Sequence, residues 1–156
     1  MSKNSIVFQN SNQMFVNTDL TKIFVFNDDF YSNQDTLYFN NTGNPAATIP
    51  EGTVLGRITA TGYLTPWVSS ANDGSERPFG VLVGDVAVEY GEVYQQDCTV
   101  CIRGNVAARL LGLQGSDTIT TKIVNGIEAG VTLRDSLTGK GFKLIQSEQN
   151  TFPDNY

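Results

Sequence analysis

The sequence predicts a mainly β domain with one or two short helices, preceded by an extended N-terminal arm. Three observations predict this fold. Short runs of apolar and β-branched residues are separated by glycine-rich turns, and the longest such run is Glu92–Arg103. Helix start signals occur near Asn105 and Thr132 only. The first 45 residues are rich in Asn, Gln and Ser between small apolar clusters.

Residues 1–45 form the predicted arm, because they are too interrupted by polar residues for a packed domain. Short extended segments are marginal in water unless they pair with something else. Two interpretations stay open: the arm adds a strand to another protein, or it adds edge strands to its own domain. The apolar residues of the arm expected to contact a partner are Ile6, Val7, Phe8, Met14, Phe15, Val16, Ile23 and Phe24.

The turn-rich stretch Asn40–Pro50 places the predicted boundary of the arm. The expected division is residues 1–45 as arm, 46–146 as the β domain and 147–156 as a polar tail. Within the domain, the patterns predict strands at Thr53–Ala60 with a bulge at Gly56, then at Tyr63–Val68, Phe79–Val83, Glu92–Arg103 and Phe142–Ile145.

Two helices and one hairpin are predicted after Gly104. Asn105 is expected to cap a short helix that runs to Leu111. Thr132 is expected to cap a second helix, with Asp135 in the position of a capping box. Between them, Ile119–Ala129 is predicted to form a hairpin around Asn125-Gly126, since Asn-Gly favours a two-residue turn.

Residue types argue against catalysis. The chain has no histidine, which excludes Ser-His and Cys-His nucleophile systems. Carboxylates such as Asp28 and Asp29 are interpreted as solvated surface groups. The less favoured alternatives are a glycosidase-like pair, or a calcium site from Asp73, Asp85 or Asp97, although calcium-loop spacing is absent. No catalytic residue, cofactor or metal is predicted.

The two cysteines, Cys98 and Cys101, are interpreted as core thiols. A zinc site needs about four ligands, and the chain offers no other cysteine and no histidine. Strand positions i and i+3 face opposite sides of a sheet, which disfavours a redox pair. An intermolecular metal site or disulfide and a redox function remain the weaker alternatives.

Charge and hydrophobicity limit the classes of partner that the chain can bind. The net charge is −6, and no basic footprint for nucleic acid is visible. The apolar runs are far shorter than the ~20 residues of a membrane-spanning helix, and the first residues lack an export-signal pattern. We therefore expect no nucleic-acid or membrane partner.

Three aromatic residues, Tyr63, Trp67 and Phe79, suit either the core or a subunit interface. An aromatic carbohydrate platform is the alternative.

Three stretches in a fixed order carry a resemblance: EGTVLGRITATGYLTPW (Glu51–Trp67), NDGSERPFGVLVGDV (Asn72–Val86) and CTVCIRGNV (Cys98–Val106). Together with Thr132–Ile145, they resemble the head decoration proteins of tailed bacteriophages, over roughly Pro50–Gln146. The residues that match the family pattern are Gly52, Val54, Leu55, Gly56, Ile58, Asp73, Gly74, Ser75, Gly80, Val81, Leu82, Arg103 and Gly104.

This resemblance implies a β-tulip-like domain that forms homotrimers at three-fold and quasi-three-fold sites outside an expanded capsid. The implied partner is the major capsid protein, with another head protein or fibre as a further possibility. The implied location is the outer surface of a virion assembled in a bacterial cytoplasm. The family's arm, loose in the free protein, adds a strand to the capsid, and no enzyme activity is implied. The alternative is a head-fibre base or a glycan- or receptor-binding virion protein.

Two features depart from the family. The arm is longer and more aromatic, and Leu113–Ala129 fits the pattern poorly.

Overall fold

The computed structural model describes residues 22–145. These residues form nine strands, one α-helix and one turn of 3-10 helix at Ala108–Leu110. The strands are β1 Phe24–Val25, β2 Tyr31–Asn40, β3 Ala47–Ile49, β4 Val54–Arg57, β5 Leu64–Pro66, β6 Pro78–Val83, β7 Val86–Val88, β8 Val93–Ala107 and β9 Phe142–Ile145; the helix is α1 Leu133–Gly139. The predicted mainly β fold is confirmed.

Five strands close into a barrel-like ring in the order β2-β5-β4-β6-β8, and β8 pairs with β2 to complete it. β3 and β7 form a separate antiparallel pair. The long strand β8 extends beyond the ring, where its last residues lie between β1 and β9. One strand therefore belongs both to the ring and to a three-stranded sheet beside it.

The ring has a buried cluster on each face of its central strands, because side chains alternate between the two faces. One cluster fills the ring, and the other lies outside it under α1 and β9. Neighbouring residues are thus divided: Leu55, Leu82 and Val100 belong to the inner cluster, whereas Val54, Val81 and Cys101 belong to the outer one. Burial on both faces explains why β4 and β6 read as continuous apolar runs.

Several local predictions are confirmed. The pairing of β4 with β6 shifts register between Leu55 and Gly56, as the predicted bulge requires. A Cβ atom at Gly56 would lie 2.0 Å from the Ser75 carbonyl oxygen, so a larger residue does not fit there. Thr132 caps α1 by accepting a hydrogen bond from the Asp135 amide at 3.2 Å.

The helix predicted from Asn105 is wrong. β8 continues through Asn105 to Ala107, because β1 and β9 supply hydrogen-bonding partners along this stretch. Only the short 3-10 turn follows. Pairing with two distant strands outweighs the local capping signal.

The hairpin predicted at Ile119–Ala129 is also wrong. The Asn125 side chain donates to the carbonyl oxygens of Ser70, at 3.2 Å, and Ala71, at 3.0 Å. Gly126 adopts φ +85°, so the Asn-Gly pair does form a turn. The turn, however, packs against another loop instead of joining two strands.

Much of the predicted arm's second half lies in the sheet. β2 pairs with β8 over ten positions, and β1 pairs with the end of β8. Phe24 is buried in the outer cluster beside Val106 and Phe142, so its side chain is not available for a partner, contrary to expectation. Ile23 is half-buried against the same cluster. The other arm residues that were expected to make contact, Ile6, Val7, Phe8, Met14, Phe15 and Val16, lie outside the described residues.

Candidate interaction surfaces

The loop Asn72–Ser75 is part of the framework. The Asp73 carboxylate accepts hydrogen bonds from the Ser75 hydroxyl at 2.6 Å and the Ser75 amide at 3.0 Å. The hydroxyl bond is the main reason why the pKa of Asp73 lies below its ordinary value. Gly74 adopts φ +102°, and a Cβ there would lie 2.0 Å from the Thr59 hydroxyl oxygen. The loop is therefore clamped against the β4–β5 turn, and its acid is occupied internally.

Trp67 holds this loop from inside. The side chain is fully buried, and its ring nitrogen donates to the Glu76 carbonyl oxygen at 2.6 Å. Trp67 therefore cannot contribute to a subunit interface or to an exposed carbohydrate platform, which corrects the prediction for this residue. Its burial places it in the outer core cluster.

Tyr63 and Phe79 remain partly accessible. Tyr63 stacks on Tyr38 with ring centroids 6.4 Å apart, and its hydroxyl lies 3.2 Å from the Gln95 side-chain nitrogen. Phe79 lies beneath the Arg57 guanidinium, 4.2 Å from the ring centre. Arg57 also forms an ion pair of 2.7 Å with Asp35. Specific neighbours thus hold both aromatic rings in place, and part of each ring stays accessible to solvent.

The two cysteines lie on opposite faces of β8, as predicted from their spacing. Cys98 belongs to the inner cluster and Cys101 to the outer one, and both are free thiols. Burial raises the pKa of each thiol to about 11, and the nearby carboxylates of Asp35 and Asp97 add to the effect at Cys98. Thiolate is the reactive and metal-binding form, so these residues are core groups at neutral pH.

The acidic residues considered for catalysis or calcium binding have other contacts. Asp85 accepts the Glu51 amide at 2.7 Å, and Asp97 accepts the Thr36 hydroxyl at 3.3 Å. Asp28 and Asp29 are exposed in the turn between β1 and β2. Across residues 22–145, no group of three or more His, Cys, Asp or Glu side chains could hold a metal ion. In the same part of the chain, no helix is long and apolar enough to span a bilayer.

Both terminal segments join the fold at one end of β8. The Ala107 amide donates to the Ile23 carbonyl oxygen at 2.8 Å, and Ala107 is also paired with Ile145 of β9. Residues 1–21 and 146–156 therefore continue from neighbouring positions.

An aromatic surface lies close to this end. Phe26 is 67% exposed and packs edge-on against Phe30, with centroids 4.8 Å apart. Tyr31 is 48% exposed and lies 4.0 Å from the Arg103 guanidinium. Aromatic residues and arginine are the types enriched at protein interfaces.

The other end of β8 borders an acidic groove of about 590 Å³. β6 pairs with β8 as far as Val83 and Thr99, after which the chain turns at Gly84 and β7 pairs with β3 instead. The groove lies between β7 and β8, and its lining includes four carboxylates and no Lys or Arg: Asp85, Glu89, Glu92 and Asp97. These four carboxylates are near one another in the sequence, but the sequence does not predict that β7 leaves β8 beyond Gly84 and so opens a groove.

The end of the stretch Leu113–Ala129 forms a braced loop. The Glu128 carboxylate contacts the Ser136 hydroxyl and forms ion pairs of 3.1 Å with Lys140 and Arg77. Burial alone would raise the pKa of Glu128, but the hydrogen bonds from Ser136 and Lys140 outweigh it and lower that pKa. The loop tip carries Ile127, which is 84% exposed.

A family model described as bacteriophage lambda head decoration protein D matches residues 25–129. The match begins inside β1 and ends in the braced loop. No curated protein matches the chain.

Proposed function

Because the chain belongs to the family of the bacteriophage lambda head decoration protein D, we propose that it binds the outside of an expanded phage head as a homotrimer and stabilises the shell. The family match over residues 25–129 is the observation that carries this proposal. The expected sites are the three-fold and quasi-three-fold positions, and the expected partner is the major capsid protein. The resulting location is the outer surface of the virion.

The proposed contact with the capsid is made by residues 1–21 rather than by the whole of residues 1–45. β1 and β2 take up Phe24–Asn40 in the domain's own sheet, which leaves the shorter segment for a partner. Its apolar clusters, Ile6–Phe8 and Met14–Val16, are separated by Asn, Gln and Ser. An extended segment of this kind gains about 0.5–1.5 kcal/mol per backbone hydrogen bond when it pairs with a sheet edge.

Three arms on one trimer would strengthen the attachment. Once one arm is bound, the other two act at high effective concentration, provided that they reach their sites. A segment of 21 residues spans at most about 70 Å when extended. The segment is therefore long enough to extend beyond the footprint of its own domain.

Deletion of residues 2–21 tests the arm. Heads of the cognate phage, expanded without this protein, are mixed with the full chain, with the 2–21 deletion and with a control deletion of residues 147–156. We expect the full chain and the control to saturate the heads, and the 2–21 deletion to lose binding while keeping its unfolding midpoint. The truncation must stop before Phe24, since a longer one removes β1 and the outer-cluster residue Phe24.

The outcomes separate the parts of the proposal. Equal saturation by the 2–21 deletion would disprove the arm mechanism but leave decoration standing. Failure of the full chain to bind expanded heads would disprove decoration itself. If saturated heads rupture at the same temperature as bare heads, the stabilising role is wrong.

A further inference from the structure

The outer edge of β2 is open. Along one side, β2 is paired with β8 over its whole length. On the other side, within residues 22–145, only Leu37 is paired with a strand residue, Leu64 of β5. The four residues Tyr31–Gln34 are all exposed, although a strand with one covered face alternates between buried and exposed. The stretch from Tyr31 to Gln34 therefore presents unpaired backbone groups to solvent, whereas the Thr36 amide donates to the Asp35 carboxylate at 2.8 Å.

This edge has only two protective features, which are a register shift between Tyr31 and Ser32 in its pairing with β8 and the hydrogen bond from the Thr36 amide to the Asp35 carboxylate. Proteins block an open edge with lysine, proline or a bulge, because unpaired N–H and C=O groups attract another strand. Residues 31–34 and Thr36 include no charged residue and no proline. The one charge, on Asp35, is paired with Arg57 at 2.7 Å. An open edge without an exposed lysine or a proline favours coverage by a strand in the assembled state.

The local charge permits a second copy as that partner. The chain carries a net charge of −6, so most contacts between two copies bring like charges together. The edge of β2 avoids this repulsion, because its exposed residues are neutral and its carboxylate is paired.

A second open edge makes the pairing geometrically possible. Among the described residues, β9 is paired with β8 on one side only, close to the same end of β8. Contact between two different edges is head-to-tail, and such contacts close into rings when the rotation permits. Exposed apolar residues accompany both edges, with Tyr31 48% exposed at β2 and Ile145 37% exposed at β9.

We propose that the outer edge of β2, from Tyr31 to Thr36, binds the β9 edge of a second copy and forms the contact between protomers. The inference rests on the proposed homotrimer and gives it an interface. Tyr63, which stacks on Tyr38 where β5 begins to cover β2, lies at the end of this contact. Trp67 takes no part in it.

The double variant Ser32→Lys and Asn33→Lys tests the edge. Consecutive strand residues point to opposite faces, so the two lysines charge both faces of the edge. The control, Gln114→Lys with Ser116→Lys, makes the same change in charge at two exposed positions in the loop that follows the 3-10 turn. Sedimentation velocity over a concentration series measures association, and urea unfolding confirms folding. We expect the edge variant to dissociate at roughly 10-fold higher concentration or more, equivalent to ~1.4 kcal/mol, and the control to match the wild type.

A second measurement needs no substitution. Amide hydrogen exchange of the wild-type chain is compared at low and high concentration. We expect amides of residues 31–36 to become protected as the trimer forms, while those of residues 94–98 do not change. An edge variant that stays trimeric, or an edge whose exchange is independent of concentration, would overturn the proposal. A wild-type chain that remains monomeric at millimolar concentration would overturn it too, whereas decoration is judged separately by head binding.

Discussion

The two ends of β8 differ in the number of neighbours that they have. From Gly104 to Ala107, the strand lies between β1 and β9, and Val106 is fully buried. From Val93 to Asp97, it pairs with β2 alone, and its other edge borders the acidic groove. One strand thus serves as core at one end and as surface at the other. Gln95, Gln96 and Asp97 give the end that borders the groove its polar character, whereas Val106 is part of the core at the other end.

Truncation of one large side chain at each end should show the largest contrast. Phe142 is 2% exposed in the outer cluster beside Val106, whereas Val93 is 48% exposed. We expect Phe142→Ala to lower the free energy of unfolding by about 3–5 kcal/mol, and Val93→Ala to change it by no more than ~0.5 kcal/mol. Urea unfolding at equilibrium measures both. If the two variants lost similar free energies of unfolding, the two ends of β8 would not differ as described.

Neutralising Glu128 should weaken the two-sided end in a pH-dependent way. Its contacts with Ser136 and Lys140 fix α1, which leads into β9. Because folding lowers the pKa of Glu128 below its ordinary 4.5, the carboxylate stabilises the fold above about pH 4.5 and loses this effect as pH falls through the folded-state value. We expect Glu128→Gln to cost about 1.5–3 kcal/mol at pH 7.

The difference between Glu128→Gln and the wild type should shrink as the pH falls below 4.5, followed by urea unfolding at several pH values. Glu89→Gln serves as the control, since Glu89 is exposed at the groove. A difference that does not change with pH would mean that the ion pairs contribute little.

The middle of β8, where β6 packs closely, should respond to an added methyl group. A Cβ atom at Gly80 would lie 2.6 Å from the Cys101 carbonyl oxygen and 2.7 Å from a Val100 methyl carbon. We expect Gly80→Ala to destabilise the protein by about 1–3 kcal/mol. A Cβ at Gly139 meets nothing within 4 Å, so Gly139→Ala should instead stabilise α1 by up to about 1 kcal/mol. The two thermal midpoints should therefore move in opposite directions.

The sequence predicted the fold class and most strands of the ring, because apolar alternation and turn residues are local signals. The cap at Thr132 and the bulge at Gly56 were predictable for the same reason. The failures came from distant partners. Asn105 lies in a strand because β1 and β9 pair beside it, and Asn125 binds carbonyl oxygens more than fifty residues away. The residues adjacent to Asn105 and Asn125 in the sequence give no signal of these distant contacts.

The interaction surfaces were harder to predict than the fold. Trp67 was considered for an interface because aromatic residues suit both a core and a contact, and only the three-dimensional packing separates the two. The open edge of β2 cannot be predicted from the residues of β2 alone, because it depends on how far β5 extends along that strand. The only local signal of this open edge is the composition of Tyr31–Gln34, in which polar residues occupy both faces of the strand.

The burial of both thiols has a practical consequence for spectroscopy. With the pKa of each native thiol at about 11, thiolate-selective reagents react slowly with the wild-type chain at neutral pH. A cysteine introduced at an exposed site such as Thr138 would therefore be modified first, without removal of Cys98 or Cys101. Spin labels or fluorophores placed in this way would report distances between protomers, and between a protomer and a phage head, in the otherwise native molecule.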